Sequence, residues 1–266
     1  MHHHSDGNST IIGSFAEMII YVVPLIAIGL YLWAVYMTNK KYKKWPVSRV
    51  FFWIGGVCSA ALAMVGPIAE MAHSNFQAHM LAHLLLGMLA PLLLVLSAPV
   101  TLLLRTVPVK AGRTISKLLR SSYGRWVTNP LNTAILNIGG LWLLYTTDLF
   151  QMMHESLLLY LFIHLHVFIA GYLFTLSILY IDPVAHQKSF QFRAFILIMA
   201  MAGHGILSKW IYANPPAGVK ESEAQAGGML MYYGGDMVDL MLVIILCYQY
   251  FKGNRRLSKK AAQVAN

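Results

Sequence analysis

The chain has 266 residues, 58% of them hydrophobic and only 11% charged, with a mean hydropathy of +0.59. Soluble globular domains carry about 25% charged residues, so this composition excludes a disordered chain, a fibre or an ordinary soluble enzyme. The net charge of +10 sits in short stretches between apolar runs, a pattern of membrane topology and not of nucleic-acid binding.

Taken in chain order, residues 1–14 form a polar tail that includes His2, His3 and His4. A first apolar run covers 15–37, with Pro24 as a kink, and a basic link from Lys40 to Arg49 follows. The second run is 50–72. The third is unusually long, 78–104, and holds Pro91 and Pro99. Membrane helices tolerate proline where neighbours re-satisfy the backbone. Residues 105–130 carry Arg113, Lys117, Arg120 and Arg125 and read as a basic amphipathic piece on the membrane surface. The remaining runs are 131–147, 156–181, 194–212 and 227–251, and 252–266 is a basic tail. A membrane helix needs about 20 apolar residues, so 15–251 reads as a seven-helix membrane domain. The expected fold class is an all-α integral membrane protein with seven transmembrane helices.

The basic residues set its orientation. On this seven-span scheme 18 of the 20 lysines and arginines fall on one side, leaving only Lys209 and Lys220 on the other. The positive-inside rule then puts the N-terminus and the 1–14 tail outside and the 252–266 tail in the cytoplasm of a multi-pass plasma-membrane protein. The basic tail reads as an anchor to anionic membrane lipid.

Every histidine beyond the first four residues, His186 excepted, then falls in the outer half or an outer link. His73 and His154 lie in outer links. His79 and His83 begin helix 3 with i, i+4 spacing, which puts both imidazoles on one helical face. His164 and His166 lie about 12 Å into helix 5 at about 1.5 Å per residue. They point apart, so at most one faces a shared site. His204 lies as deep in helix 6 within Ala202-Gly203-His204-Gly205. Ionisable groups inside spans face a bundle interior and mark functional sites.

Methionines cluster at the same depth: Met71, Met80, Met152, Met153, Met229 and Met231. Thioether mixed with imidazole selects copper, Cu(I) in particular, although methionine also serves as plain apolar filler. Asp236 and Asp239 lie one turn apart in helix 7. Asp236 reads as a ligand, as a partner orienting a histidine, or as half of a salt bridge with Lys209. The candidate metal set is therefore His79, His83, His164 and His204, supported by Met80, His154, His73, Met231 and Asp236. Cys58 and Cys247 both lie in apolar runs and offer neither a disulfide framework nor a CxxC pair. No phosphate loop, GxSxG elbow or HExxH is present, so the chain does not read as an enzyme.

The stretch His79-Met80-Leu81-Ala82-His83 through Gly87 and Ala90-Pro91, followed by Ala98-Pro99 and Leu102-Leu103-Leu104-Arg105, resembles the caa3-type cytochrome c oxidase assembly factor (CtaG) family. The resemblance continues through Asn129-Pro130-Leu131, His164 with Phe168-Ile169-Ala170-Gly171, Asp182-Pro183, and Glu223, Gln225, Gly228, Met231 and Tyr232. It departs at Ile163 and Ala224, where the family pattern leads one to expect Glu and Gln. The resemblance implies a non-enzymatic assembly factor for a haem–copper oxidase, delivering copper to an oxidase subunit's copper centre, with an extracytoplasmic copper donor as a further partner. His79, His83 and His164 match the family pattern, while His204, Met231 and Asp236 enter on depth and chemistry. Two alternatives stay open: a b-type haem electron-transfer protein with paired axial histidines, and a proton or metal-ion transporter using Asp236 and Asp239.

Overall fold

The computed structural model describes the backbone of residues 6–265 and the side chains of 22–253. His2, His3 and His4 and the basic residues from Arg255 onward lie outside the described side chains. The fold is helical throughout. Helix α1 is Asp6–Lys41, so it begins inside the expected 1–14 tail, and α2 is Val47–Met64. The second apolar run breaks at Val65 and Gly66, where Gly66 has φ +79°, and a short α3, Pro67–Ala72, follows.

Helix α4, Phe76–Leu96, is the central element. It packs against α2 and against two later helices, α10 (Leu157–Leu179) and α12 (Glu221–Ala265). The third run does not continue to residue 104. It stops at Leu96, and Ala98 adopts a left-handed conformation with φ 55°. Pro99 then opens a separate helix α5, Pro99–Thr106. Proline disfavours helical geometry in the residue before it, and two long-range contacts fix the break. The Tyr31 hydroxyl donates to the Ser97 carbonyl at 2.8 Å, and Asp182 accepts from Val100 N and Thr101 N at 3.0 and 2.7 Å.

Helices α6 (Val109–Leu119) and α7 (Ser122–Val127) form the basic piece, and α6 buries no residue. The run expected at 131–147 forms α8, residues 130–146, built from Pro130–Ala134, a π turn at Ile135–Gly139, and Gly140–Thr146. At about 1.5 Å per residue it is about 26 Å long. A short α9, Leu149–Glu155, precedes α10, and α11 is Phe190–Ala213.

Among the described residues six helices are long and apolar enough to cross a membrane: α1, α2, α4, α10, α11 and α12. The remaining expected span, 131–147, corresponds to the shorter α8. The chain is a multi-pass membrane protein. Side-chain caps satisfy free N–H groups where several helices begin: Asn75 accepts from Ala78 N at 2.9 Å and Ser189 from Phe192 N at 3.2 Å. Four apolar clusters hold the bundle, two of them large. Of these two, one gathers Phe76, Met80, Phe150, Ile163 and Met231, and the other gathers Leu92, Phe174, Ile178, Leu197 and Leu246.

Candidate metal centre

The first turn of α4 is tied to the first turn of α12, because Phe76 N donates to Glu223 Oε2 at 3.2 Å. That clamp fixes the face carrying His79 and His83, which are 5% and 7% exposed. His79 Nε2 and the Tyr145 hydroxyl are hydrogen bonded at 3.0 Å. His164 on α10 faces His79, with ring centroids 6.3 Å apart and planes at 89°. Its Nδ1–H donates to the Tyr160 carbonyl at 2.8 Å. A carbonyl only accepts, so Nδ1 carries the proton and Nε2 keeps the lone pair of the neutral ring. His154 on α9 is held the same way, donating Nδ1–H to the Phe150 carbonyl at 2.9 Å, and its ring lies 6.2 Å from that of His79.

His204 on α11 is 3% exposed and pairs with His83, centroids 6.4 Å apart and planes within 20°. Gly235 on α12 makes room for it: a Cβ there would lie 2.8 Å from His204 Nδ1. By ring spacing the four leading histidines fall into two pairs, His79–His164 and His83–His204. Among the described residues no three His, Cys, Asp or Glu side chains are grouped to hold one metal ion.

Three spaces follow the same order. A vestibule of about 330 Å³ at one end of the bundle is lined by His73, His154, Glu155 and Glu223. Beneath it a compartment of about 20 Å³ is lined by His79, His83, His164, Tyr145 and Met153. A second compartment, also about 20 Å³, is lined by His83, His204, Asn137, Thr175 and Asp239. Each small compartment has room for about one water molecule or one ion. Two π turns, Leu85–Leu89 and Ile135–Gly139, supply Gly87, Met88, Asn137 and Ile138 to the wall of the second. Such turns recur at functional sites.

Other expected residues lie elsewhere. Asp236 faces the outside of the bundle, whereas Asp239, three residues on, is 4% exposed and lines the second compartment. The rotation of α12, set by Gly227 against Phe76 and Gly235 against His204, turns Asp236 outward. Lys209 does not pair with it; its Nζ lies 5.0 Å from the Tyr232 ring. Met80 and Met231 are fully buried in the apolar cluster and line neither compartment. The thioether that reaches the His79–His164 space is Met153, 1% exposed. His73 is exposed and stacks on Tyr160 at 5.3 Å. His166 points away from its neighbour, donating Nε2–H to the Leu136 carbonyl at 3.2 Å. Tyr145, which is bonded directly to His79, has no place in the expected set. Its signal was an aromatic hydroxyl inside an apolar run, a group that takes a hydrogen-bond partner when buried.

The family model for the cytochrome c oxidase caa3 assembly factor (Caa3_CtaG) matches residues 29–253. An uncharacterized protein of Mycobacterium bovis, Mb0105, is 25% identical over 243 residues, which cover 84% of this chain and 37% of that protein. Uncharacterized protein MT0111 of Mycobacterium tuberculosis matches with the same figures. Uncharacterized protein ML1998 of Mycobacterium leprae is 23% identical over 235 residues, 80% of this chain and 36% of its own length. The chain thus spans a little over a third of the length of these curated relatives. No solved structure matches it. With the family model matching most of its length, the chain belongs to the caa3 cytochrome c oxidase assembly factor family.

Proposed function

We propose that this member of the caa3 assembly-factor family carries Cu(I) as cargo. It takes the ion at the outer face of the plasma membrane, holds it in the compartment below the vestibule, and passes it by ligand exchange to a subunit of the oxidase. The observation that carries this reading is the His79–His164 pair, 6.3 Å apart, lining one buried space with Met153. Imidazole with thioether is a soft set suited to Cu(I). A metal-ligating histidine ordinarily donates its second N–H to a carbonyl or carboxylate, and His164 and His154 both do so. A site of few ligands suits an ion that must leave again. No substrate is turned over, so the role is not enzymatic.

The orientation fits this use. With α8 counted as the seventh span, the basic residues put the vestibule and its His73 and His154 outside, where an extracytoplasmic copper donor docks. Helix α6, with Lys110, Arg113 and Lys117, then lies against anionic lipid on the cytoplasmic side. The haem alternative loses support because the space beside each histidine pair is about 20 Å³, too little for a porphyrin. A transport relay through both Asp236 and Asp239 loses support because Asp236 faces outward.

The test is oxidase purified from cells carrying His79→Ala at an unchanged level of the chain. The expected result is oxidase with normal haem and a depleted copper centre. Oxidase with its full copper content overturns the carrier reading.

A further inference from the structure

His83 lines both small compartments, and the second contains groups that the His79–His164 pair does not use. His83 Nε2 and His204 Nε2 are both buried and have no hydrogen-bond partner among the described residues. A buried polar atom left unpaired is costly, so two on neighbouring rings with centroids 6.4 Å apart mark a space shaped for something that both nitrogens bind. Asp239 reaches the same space at 4% exposure. Among the described residues the only ion pair joins Lys220 and Glu223, far from it in the chain and exposed at Lys220. A carboxylate buried in a span without a cation is a functional group by default.

The geometry points to a second cation station: a monovalent d¹⁰ ion held between His83 and His204, with Asp239 as the carboxylate that offsets its charge. This rests on the carrier reading and extends it. Two imidazole donors without other partners suit Cu(I) or its analogue Ag(I). Zinc takes four ligands and calcium or magnesium six or more oxygens, and among the described residues no third His, Cys, Asp or Glu, Asp239 included, is grouped closely enough with these two to begin such a set. A space of about 20 Å³ admits one ion. Asn137 and Thr175 add neutral oxygens to its wall. Because His83 faces both spaces, it is the exchange ligand through which an ion leaving the His79–His164 pair reaches His204. Gly235 keeps the station open, since any Cβ there displaces the His204 ring.

The experiment is Ag(I) titration of the full-length chain in detergent, read as bound metal per chain by equilibrium dialysis. Cys58, Cys247 and the histidines near the start contribute equally to every variant, so the readout is the difference from the parent chain. His204→Ala is expected to lose one equivalent, His164→Ala to lose one, and the double variant to lose two. Gly235→Ala, which keeps every ligand, is expected to lose the same equivalent as His204→Ala with an unchanged elution profile. Asp239→Asn is expected to weaken that equivalent by at least tenfold and to leave the other intact. If the double variant loses only one equivalent, both pairs share one ion: the second station is overturned and the carrier reading stands. If His204→Ala alone loses an equivalent, the inner station stands and the cargo site at His79–His164 falls. If no variant loses any, both readings are overturned.

Discussion

The Tyr145 hydroxyl and His79 Nε2 are hydrogen bonded at 3.0 Å inside a wall of aromatic rings, with Phe76 and Phe150 both edge-on or tilted against Tyr145 at 6.3 and 5.8 Å. With Nε2–H donating to the hydroxyl oxygen, Nδ1 of His79 keeps the lone pair that a metal would take, and the bond holds the ring in place. Tyr145→Phe retains the ring packing and removes only the hydroxyl. Loss of such an orienting partner typically costs 10–100-fold in metal affinity. Cu(I) competition against a coloured chelator is expected to show a loss in that range, with abundance of the chain close to normal. Unchanged affinity means that the hydroxyl does not orient the ligand.

A second long-range bond governs the fold instead of the site. Asp182 is 3% exposed and accepts from Val100 N, Thr101 N and the Thr101 hydroxyl, at 3.0, 2.7 and 2.6 Å. It therefore caps α5 from 82 residues away, satisfying N–H groups that a helix start leaves free. Asp182→Ala strands those donors in a half-buried position. Bonds to a charged group are worth about 1.5–3 kcal/mol each, so the expected cost is at least about 2 kcal/mol, read as a lower unfolding temperature in detergent. Asp182→Asn keeps one acceptor oxygen and is expected to lose less. Equal stability of the alanine variant and the parent chain rules out the capping role.

These two bonds also show what the sequence made legible. The i, i+4 spacing of His79 and His83 needs only helical geometry, and both do share a buried face. The opposed directions of His164 and His166 follow from the same geometry, and their hydrogen bonds run to different carbonyls. The break at Ala98 depends on Tyr31 and Asp182, which are remote in sequence, so a continuous apolar pattern hides it. Asp236 and Asp239 lie within one turn of each other, and only the rotation of α12 decides which one faces inward. That rotation comes from glycine contacts with Phe76 and His204 on other helices. Met153 and Met80 are chemically identical candidates for the same reason, and tertiary packing alone separates them.

The orientation has its own check. Since 18 of the 20 basic residues fall on one side of the seven-span arrangement, a reporter fused after Asn266 is expected to be active only in the cytoplasm. One fused before Met1 is expected to be active only outside. An even number of spans puts both reporters on the same side and removes α8 from the count. A reversed pair puts the vestibule in the cytoplasm, where an external copper donor has no access.

His164 and His166 are two residues apart on one helix and separate the two roles a membrane histidine can have. His166 donates to the Leu136 carbonyl within the π turn of α8, and its ring fills the space beside Gly140, where a Cβ would lie 2.6 Å from Nε2. His166→Ala removes the side-chain donor to that carbonyl, which keeps the Gly140 N–H, and opens a gap between α8 and α10. The expected cost, one hydrogen bond and a cavity, is about 1–3 kcal/mol, seen as reduced abundance of the chain and a proportional loss of assembled oxidase. His164 donates only to its own helix and presents Nε2 to the compartment shared with His79 and Met153. His164→Ala is therefore expected to leave abundance near normal while oxidase copper falls. Added copper acts by mass action on a weakened site, so it is expected to restore part of the activity in His164→Ala and none in His166→Ala. Immunoblots of the chain, together with copper content and activity of the oxidase across a copper series, distinguish the two. If both variants lose abundance together and neither responds to copper, His164 is a packing residue like its neighbour.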